Sequence, residues 1–258
     1  MSHFELDGPI NFRDLHIKTK QFEIKKGLLF RSDKLTTCSA NDVKKLSDMG
    51  IKQIIDFRSE KEKKKNPFLF NIENYFTYIE IPIEIDERFL SDITTILRGC
   101  KLKKMEEVME EYYKNLVVKH HDKFSKAIKI ILQTKLPTVF NCSHGKDRTG
   151  FFATILYYIC RIPESQIMNS YLLSNRYITK HINYDDEKEK LCKLFNIENK
   201  NITDKQIQPL LFVSNKYINK SIRSANNIYG SFLGFIEYKM KITKKLQEEL
   251  QNYLVKTY

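Results

Sequence analysis

The sequence predicts an α/β fold, a largely parallel sheet of four to five strands flanked by helices, on three observations. Short β-prone apolar runs alternate with helical stretches, the pattern of a parallel sheet with crossover helices. One run, Pro137 to Asn141, passes through a short loop directly into the apolar segment Phe151 to Cys160, as one βα unit would. The length of 258 residues suits one large domain or two small ones and can bury a substantial core, and no internal repeat or low-complexity linker divides it.

Leu28 to Arg31 is a short apolar, strand-like run. Ser39 then stands where a helix cap belongs, with Asp42 placed to complete a capping box and Gly50 to stop the helix after Met49. Ile51 to Phe57, rich in β-branched residues, reads as a buried strand. Ser59 to Lys65 reads as a charged loop or frayed helix closed by Asn66-Pro67. Tyr75 to Ile83 alternates as a strand does, with Pro82 near its end. Helical periodicity covers Met105 to His120 and Lys123 to Thr134, and Phe89 to Met105 reads as an insertion or mobile lid. Phe151 to Cys160 is apolar nearly all round, so a buried helix is expected. Pro163 opens the next helix, and the chain ends in an amphipathic helix, Thr243 to Val255, with Leu246, Leu250 and Leu254 on one face.

Composition narrows the function. Hydrophobic residues make up 41% and charged residues 29%, an ordinary balance for a globular enzyme. No apolar stretch is long enough to cross a bilayer, so no transmembrane segment is expected. Met1-Ser2-His3-Phe4-Glu5 has neither the basic start nor the apolar core of a secretory signal, which points to the cytoplasm and leaves open export by other routes. The net charge of +12, from 44 Lys+Arg against 32 Asp+Glu, favours anionic partners, whether phosphorylated substrates, nucleic acid or an acidic membrane touched peripherally, and equally fits a lysine-rich solvated surface. No nucleic-acid-binding module is recognisable. Five cysteines without a CxxC pair make neither a zinc cluster nor a disulfide framework, and fit a reducing compartment. Cys38, Cys100, Cys160 and Cys192 read as small buried hydrophobes or incidental thiols. His120-His121 reads as a solvated helix end, without partners at metal-ligand spacing.

Cys142-Ser143-His144-Gly145-Lys146-Asp147-Arg148-Thr149-Gly150 is the segment with chemistry in it. Cysteine followed five residues later by arginine arises by chance on the order of 0.2 times in such a composition, so its context must decide. Here a strand ends at Asn141 and an apolar helix begins after Gly150. A short loop so placed turns backbone N–H groups into an anion nest, reinforced by the helix N-terminus. Gly145 lets the backbone close around a phosphate, and Arg148 can grip two of its oxygens with a planar fork. Cys142, on the floor of that nest, is expected as a thiolate nucleophile forming a cysteinyl-phosphate, with no metal or cofactor required. The leaving oxygen needs a proton. Asp147, inside the loop, is the nearest candidate acid, and Asp86 the second. Lys146 adds charge for substrates with more than one phosphate, and His144 reads as a rim residue.

The segment Cys142 to Gly150 resembles the signature of cysteine-dependent protein tyrosine phosphatases. Its Lys146-Asp147-Arg148-Thr149-Gly150 ending is similar to a bacterial and fungal branch acting on phosphotyrosine, on phosphoserine or phosphothreonine and, in some members, on phosphoinositides. Asn11-Phe12-Arg13-Asp14, Gly27 to Ser32, Gly50-Ile51 with Ile55 to Ser59, Tyr171 to Asn175 and Tyr229 to Phe232 resemble the branch in the same order. The resemblance implies a single tyrosine-phosphatase-like domain over residues 1–258, with Cys142 as nucleophile, Arg148 as clamp and Asp147 as in-loop acid. Thr149 would assist breakdown of the intermediate. Ser143, His144, Gly145, Lys146, Thr149 and Gly150 would hold substrate, under a helical lid at about residues 89–121.

One departure stands beside the nucleophile. The family usually has histidine there, whereas this chain has Asn141, expected to donate to loop carbonyls and to leave the thiol pKa less depressed. The expected function is a phosphatase of the protein-tyrosine or dual-specificity kind. Alternatives are a phosphoinositide phosphatase and, on Asn141 alone, a non-catalytic phosphate-binding module. Rhodanese-like sulfur transfer and arsenate reduction fit less well, given Lys146-Asp147 and no resolving cysteine nearby.

Overall fold

The computed structural model describes residues 5–99, 104–198 and 202–258. Cys100 and the first four residues lie outside these, and with them the readings made there. The five-stranded sheet runs in the order β1 (Arg13–Asp14), β3 (Leu29–Ser32), β6 (Thr138–Asn141), β4 (Gln53–Asp56), β5 (Thr77–Glu80). All its neighbours pair in parallel except β1 with β3. β2 (Phe22–Ile24) and β7 (Val255–Thr257) form a separate antiparallel pair.

The central strand is β6. All four of its residues are fully buried, as expected of a parallel strand covered on both faces. Its register sets Asn141 level with Ser32 of β3 and with Asp56 of β4. Three loops therefore leave the sheet side by side at one carboxyl edge, where open α/β sheets place their ligands.

Ser39 and Asp42 form the expected capping box on α1 (Ala40–Asp48). A second capping box, Ser59 with Glu62, makes α2 (Glu60–Lys65) a well-started helix rather than a loop. The segment read as an insertion contains α3 (Glu87–Leu97), followed by α4 (Met105–Val118) and α5 (His121–Thr134). His120 and His121 stand at the junction of these last two helices.

After β6 come α6 (Arg148–Ile159), α7 (Glu164–Thr179), α8 (Tyr184–Phe195), α9 (Asp204–Leu211) and α10 (Asn215–Tyr229). A short α11 (Phe232–Gly234) runs into a π-helical turn at Phe235–Lys239, and α12 (Lys244–Leu254) leads into β7. Buried α6 residues meet the sheet through an aromatic cluster. Phe152 lies 5.2 Å from Phe57, 4.8 Å from Phe140 and 6.0 Å from Phe124, ring centre to ring centre. Such contacts add to the area buried and set the height of the strand end beneath the cysteine.

Of residues 89–121, α4 belongs to the main core, where Tyr113, Leu116 and Val117 are buried. The first turn of α4, through Met105 and Val108, also joins α3, α8 and α9 in a second apolar cluster that includes Ile93, Ile96, Cys192 and Ile207. Cys38, Cys160 and Cys192 are buried free thiols.

Candidate active site

Cys142 follows β6 directly and is 2% exposed. Among the described residues, the backbone N–H groups of 143 to 147 find no acceptor within the protein, which leaves them for an anion. Gly145 is the tight point of the loop. Its φ is +65°, and a Cβ there would sit 2.5 Å from the backbone of Ser32 and Asp33 at the end of β3.

The loop carbonyls are held from behind by residues far away in sequence. Asn11 Nδ2 donates to the His144 carbonyl at 2.9 Å, and Arg31 donates to the Gly145 carbonyl at 2.7 Å. Ser174 Oγ of α7 accepts from Arg13 at 2.9 Å and lies 3.5 Å from Arg31. Asn175 ties α7 to the start of α10 through both directions of the Val213 backbone, each at 2.8 Å. Arg13 and Arg31 are nearly completely buried, and burial lowers the pKa of both; for Arg13 the neighbouring Arg31 charge lowers it further. The N-terminal and α7 motifs thus converge behind the loop that carries Cys142.

Asn141 does not donate to loop carbonyls as expected. Its Nδ2 donates to Asp56 at 3.1 Å, because the register of β6 against β4 sets the two side by side while Asn11 and Arg31 occupy the carbonyls. Asp56 in turn pairs with Arg58 at 2.7 Å and accepts from Tyr78.

Arg148, 5% exposed, opens α6 and turns both terminal nitrogens onto Glu62 at 2.6 and 2.7 Å. Ser143 Oγ reaches the same carboxylate at 2.5 Å, and the Ser59 N–H at 2.7 Å. Burial pushes the Glu62 carboxyl up, but the Arg148 cation outweighs it and brings the pKa down to about 2. Reading the sequence did not single out Glu62. Its signal was there in Ser59-x-x-Glu62, a capping box that fixes both the helix and the acid on its third residue.

Of the two candidate acids, only Asp147 stands in the loop. Its Oδ1 accepts from Tyr113 at 2.7 Å and its Oδ2 lies 3.4 Å from Lys146 Nζ. Asp86 instead caps α3 and pairs with Lys119, whose hydrogen bond holds its pKa down. Lys146 is buried and donates to the Leu210 carbonyl of α9 at 2.6 Å, so it bridges the loop to a helix above it. His144 is exposed on the loop. Thr149 Oγ1 is buried and finds no hydrogen-bond partner among the described residues.

Above the loop lies a cavity of about 500 Å³. Ser143, His144, Lys146, Asp147 and Arg148 line it, with apolar walls from α3, α8 and α9 such as Phe89, Leu191 and Leu211. Lys34, Lys61 and Lys65 also line it. Charged floor and apolar walls are the usual make-up of a small-ligand site.

Residues 4–256 match the model of the tyrosine phosphatase family. The chain belongs to that family.

Membership in this cysteine-dependent family implies a phosphorylated substrate. The Cupriavidus necator protein H16_A0669, named as a tyrosine-protein phosphatase, is 25% identical over 219 residues, 85% of this chain and 76% of its own length. A tyrosine-protein phosphatase of Nostoc commune is 25% identical over 144 residues, 55% of this chain. The matched part is 47% of that relative, so the chain spans about half its length. Among solved structures, the core catalytic domain of the PP-IP phosphatase SIW14 from S. cerevisiae overlays at a TM-score of 0.38. It has 13% identity, covering 74% of this chain and 96% of that one. P. aeruginosa TpbA overlays at 0.32 with 13% identity, over 66% and 90% of the two chains. In this family member no helix among the described residues is long and apolar enough to cross a membrane.

Proposed function

We propose that this chain is a single phosphatase domain that hydrolyses phosphotyrosine, and phosphoserine or phosphothreonine besides, through a cysteinyl-phosphate on Cys142. The observation that carries the reading is the loop itself: a buried cysteine at the strand end, free loop amides and Arg148 pinned by Glu62. Cys142 Sγ bonds to phosphorus as the bond to the leaving oxygen breaks, and Asp147 passes its proton to that oxygen. Water then attacks the phosphocysteine and gives a proton to Asp147, releasing phosphate and the thiolate. The partnerless Thr149 hydroxyl would donate to the sulfur as it leaves. Arg148 holds the equatorial oxygens throughout. Helices α3, α8 and α9 act as a lid whose apolar faces receive the body of the substrate. A reducing, cytoplasmic setting suits a free nucleophilic thiol.

The test is hydrolysis of p-nitrophenyl phosphate. Turnover that is insensitive to chelators and lost in Cys142→Ser is expected. Turnover that survives the substitution refutes the mechanism, and no turnover in the intact chain favours a phosphate-binding module.

A phosphoinositide substrate is the second reading, favoured by Lys146 in the loop and by Lys34, Lys61 and Lys65 along the cavity. Phosphate release from phosphoinositides and phosphopeptides, measured side by side, separates the two. If Lys146→Ala leaves their ratio unchanged, this lysine does not select lipid.

A further inference from the structure

We propose that Tyr113 and Tyr171 are positioning residues that aim the proton of Asp147, which rests on the reading of Asp147 as the general acid. The three side chains come from α4, α7 and the loop and form one directed chain. Tyr171 donates to the Tyr113 hydroxyl at 2.6 Å, and Tyr113 donates to Asp147 Oδ1 at 2.7 Å. Because the Tyr113 oxygen already accepts from Tyr171, its own hydrogen is directed at Oδ1. A proton on Oδ1 would meet that hydrogen head-on. The Tyr113 hydrogen thus fixes Oδ1 and leaves Oδ2, on the Lys146 side of a residue that lines the cavity, as the oxygen that would pass the proton.

The chain is rigid because its parts are packed. Tyr113 is 0% and Tyr171 1% exposed, and their rings meet edge-on at 6.3 Å. The Tyr113 backbone carbonyl accepts from Ser221 at 2.7 Å, fastening α4 to α10. The Tyr171 ring lies where a Cβ on Gly150 would approach to 3.1 Å, so it is seated against the first turn of α6. A carboxylate held on one oxygen by a buried donor keeps its other oxygen in one place, which proton transfer in a transition state requires.

The test compares kcat/KM on phenyl phosphate, whose leaving group needs a proton, with p-nitrophenyl phosphate, whose leaving group departs readily without one. Asp147→Asn should lose on the order of 10²-fold on phenyl phosphate and far less on the nitro compound. Tyr113→Phe keeps the ring, and should lose roughly tenfold on phenyl phosphate and under about threefold on the nitro compound. In the Asp147→Asn background it should add nothing further. Should Tyr113→Phe fail to fold, Tyr171→Phe carries the same test with a smaller loss of the same selectivity. Equal losses on both substrates, or a full further loss in the double variant, would show that the tyrosines only support packing and overturn the proposal. An Asp147→Asn variant without leaving-group selectivity would instead sink the assignment of Asp147 itself.

Discussion

Glu62→Gln isolates the pin on Arg148 with almost no change of shape. The substitution swaps one carboxylate oxygen for an amide NH2 that cannot accept from the guanidinium, so a buried cation loses its counter-charge. The fall of the Glu62 pKa from 4.5 to about 2 corresponds to about 3 kcal/mol of preference for the charged, folded pair. That agrees in order with the 3–5 kcal/mol typical of breaking a buried pair from one side. For a chain of this size it should lower Tm by roughly 6–12 °C at pH 7. Folding depresses this pKa, so the contribution is fully present above the unfolded value of 4.5. It shrinks as pH falls below that value and is lost through about 2. Thermal melts of both proteins at pH 7, 5, 4 and 3 provide the assay. The gap in Tm should hold at pH 7 and 5 and narrow steadily below. A gap that is absent at pH 7, or that stays constant down to pH 3, refutes the assignment of Glu62 as the charged anchor of Arg148. Turnover of p-nitrophenyl phosphate should fall in the variant, since an unpinned arginine no longer keeps its fork over the loop.

Gly145→Ala combines a positive φ with a 2.5 Å approach to backbone, so the loop must shift away from Ser32 and Asp33. A stability loss of about 2–4 kcal/mol and loss of turnover are expected together, read by denaturant melts and phosphate release. Arg31→Met removes a buried cation that pairs with no acid among the described residues, along with its hydrogen bond to the Gly145 carbonyl. Stability should change by less than about 2 kcal/mol while kcat/KM falls at least about tenfold, because the loop rather than the core loses its support. Phe152→Ala empties a site ringed by Phe57, Phe124 and Phe140, and should cost about 3–5 kcal/mol in a denaturant melt.

The loop Cys142 to Gly150 was legible from local sequence because its chemistry and its backbone are coded together. A strand end, a glycine at the tight point and an arginine at a helix start need only neighbours in the chain. The α/β class was legible for the same reason, since periodicity is a local property. The resembling segments marked where else the chain mattered, but not why. Only folding brought Asn11, Arg31 and Ser174 behind one loop, across 133, 114 and 143 positions in their respective hydrogen bonds. The side-chain partners of Asp147 and Asp86 were equally tertiary. Lys119, 33 positions from Asp86, draws that carboxylate aside, while Tyr113 reaches Asp147 from another helix.

Asn141 shows the division within a single residue. The sequence by itself determined that an amide stands beside the cysteine at the end of a buried strand. Which groups that amide meets depended on the register of β6 against β4, and that register paired it with Asp56 rather than with the loop. Local patterns fix which chemistry a chain can offer, because they set conformation over a few residues. The partners that orient a charge or aim a proton are set by packing between distant elements, where hydrogen bonds and burial are decided by neighbours in space.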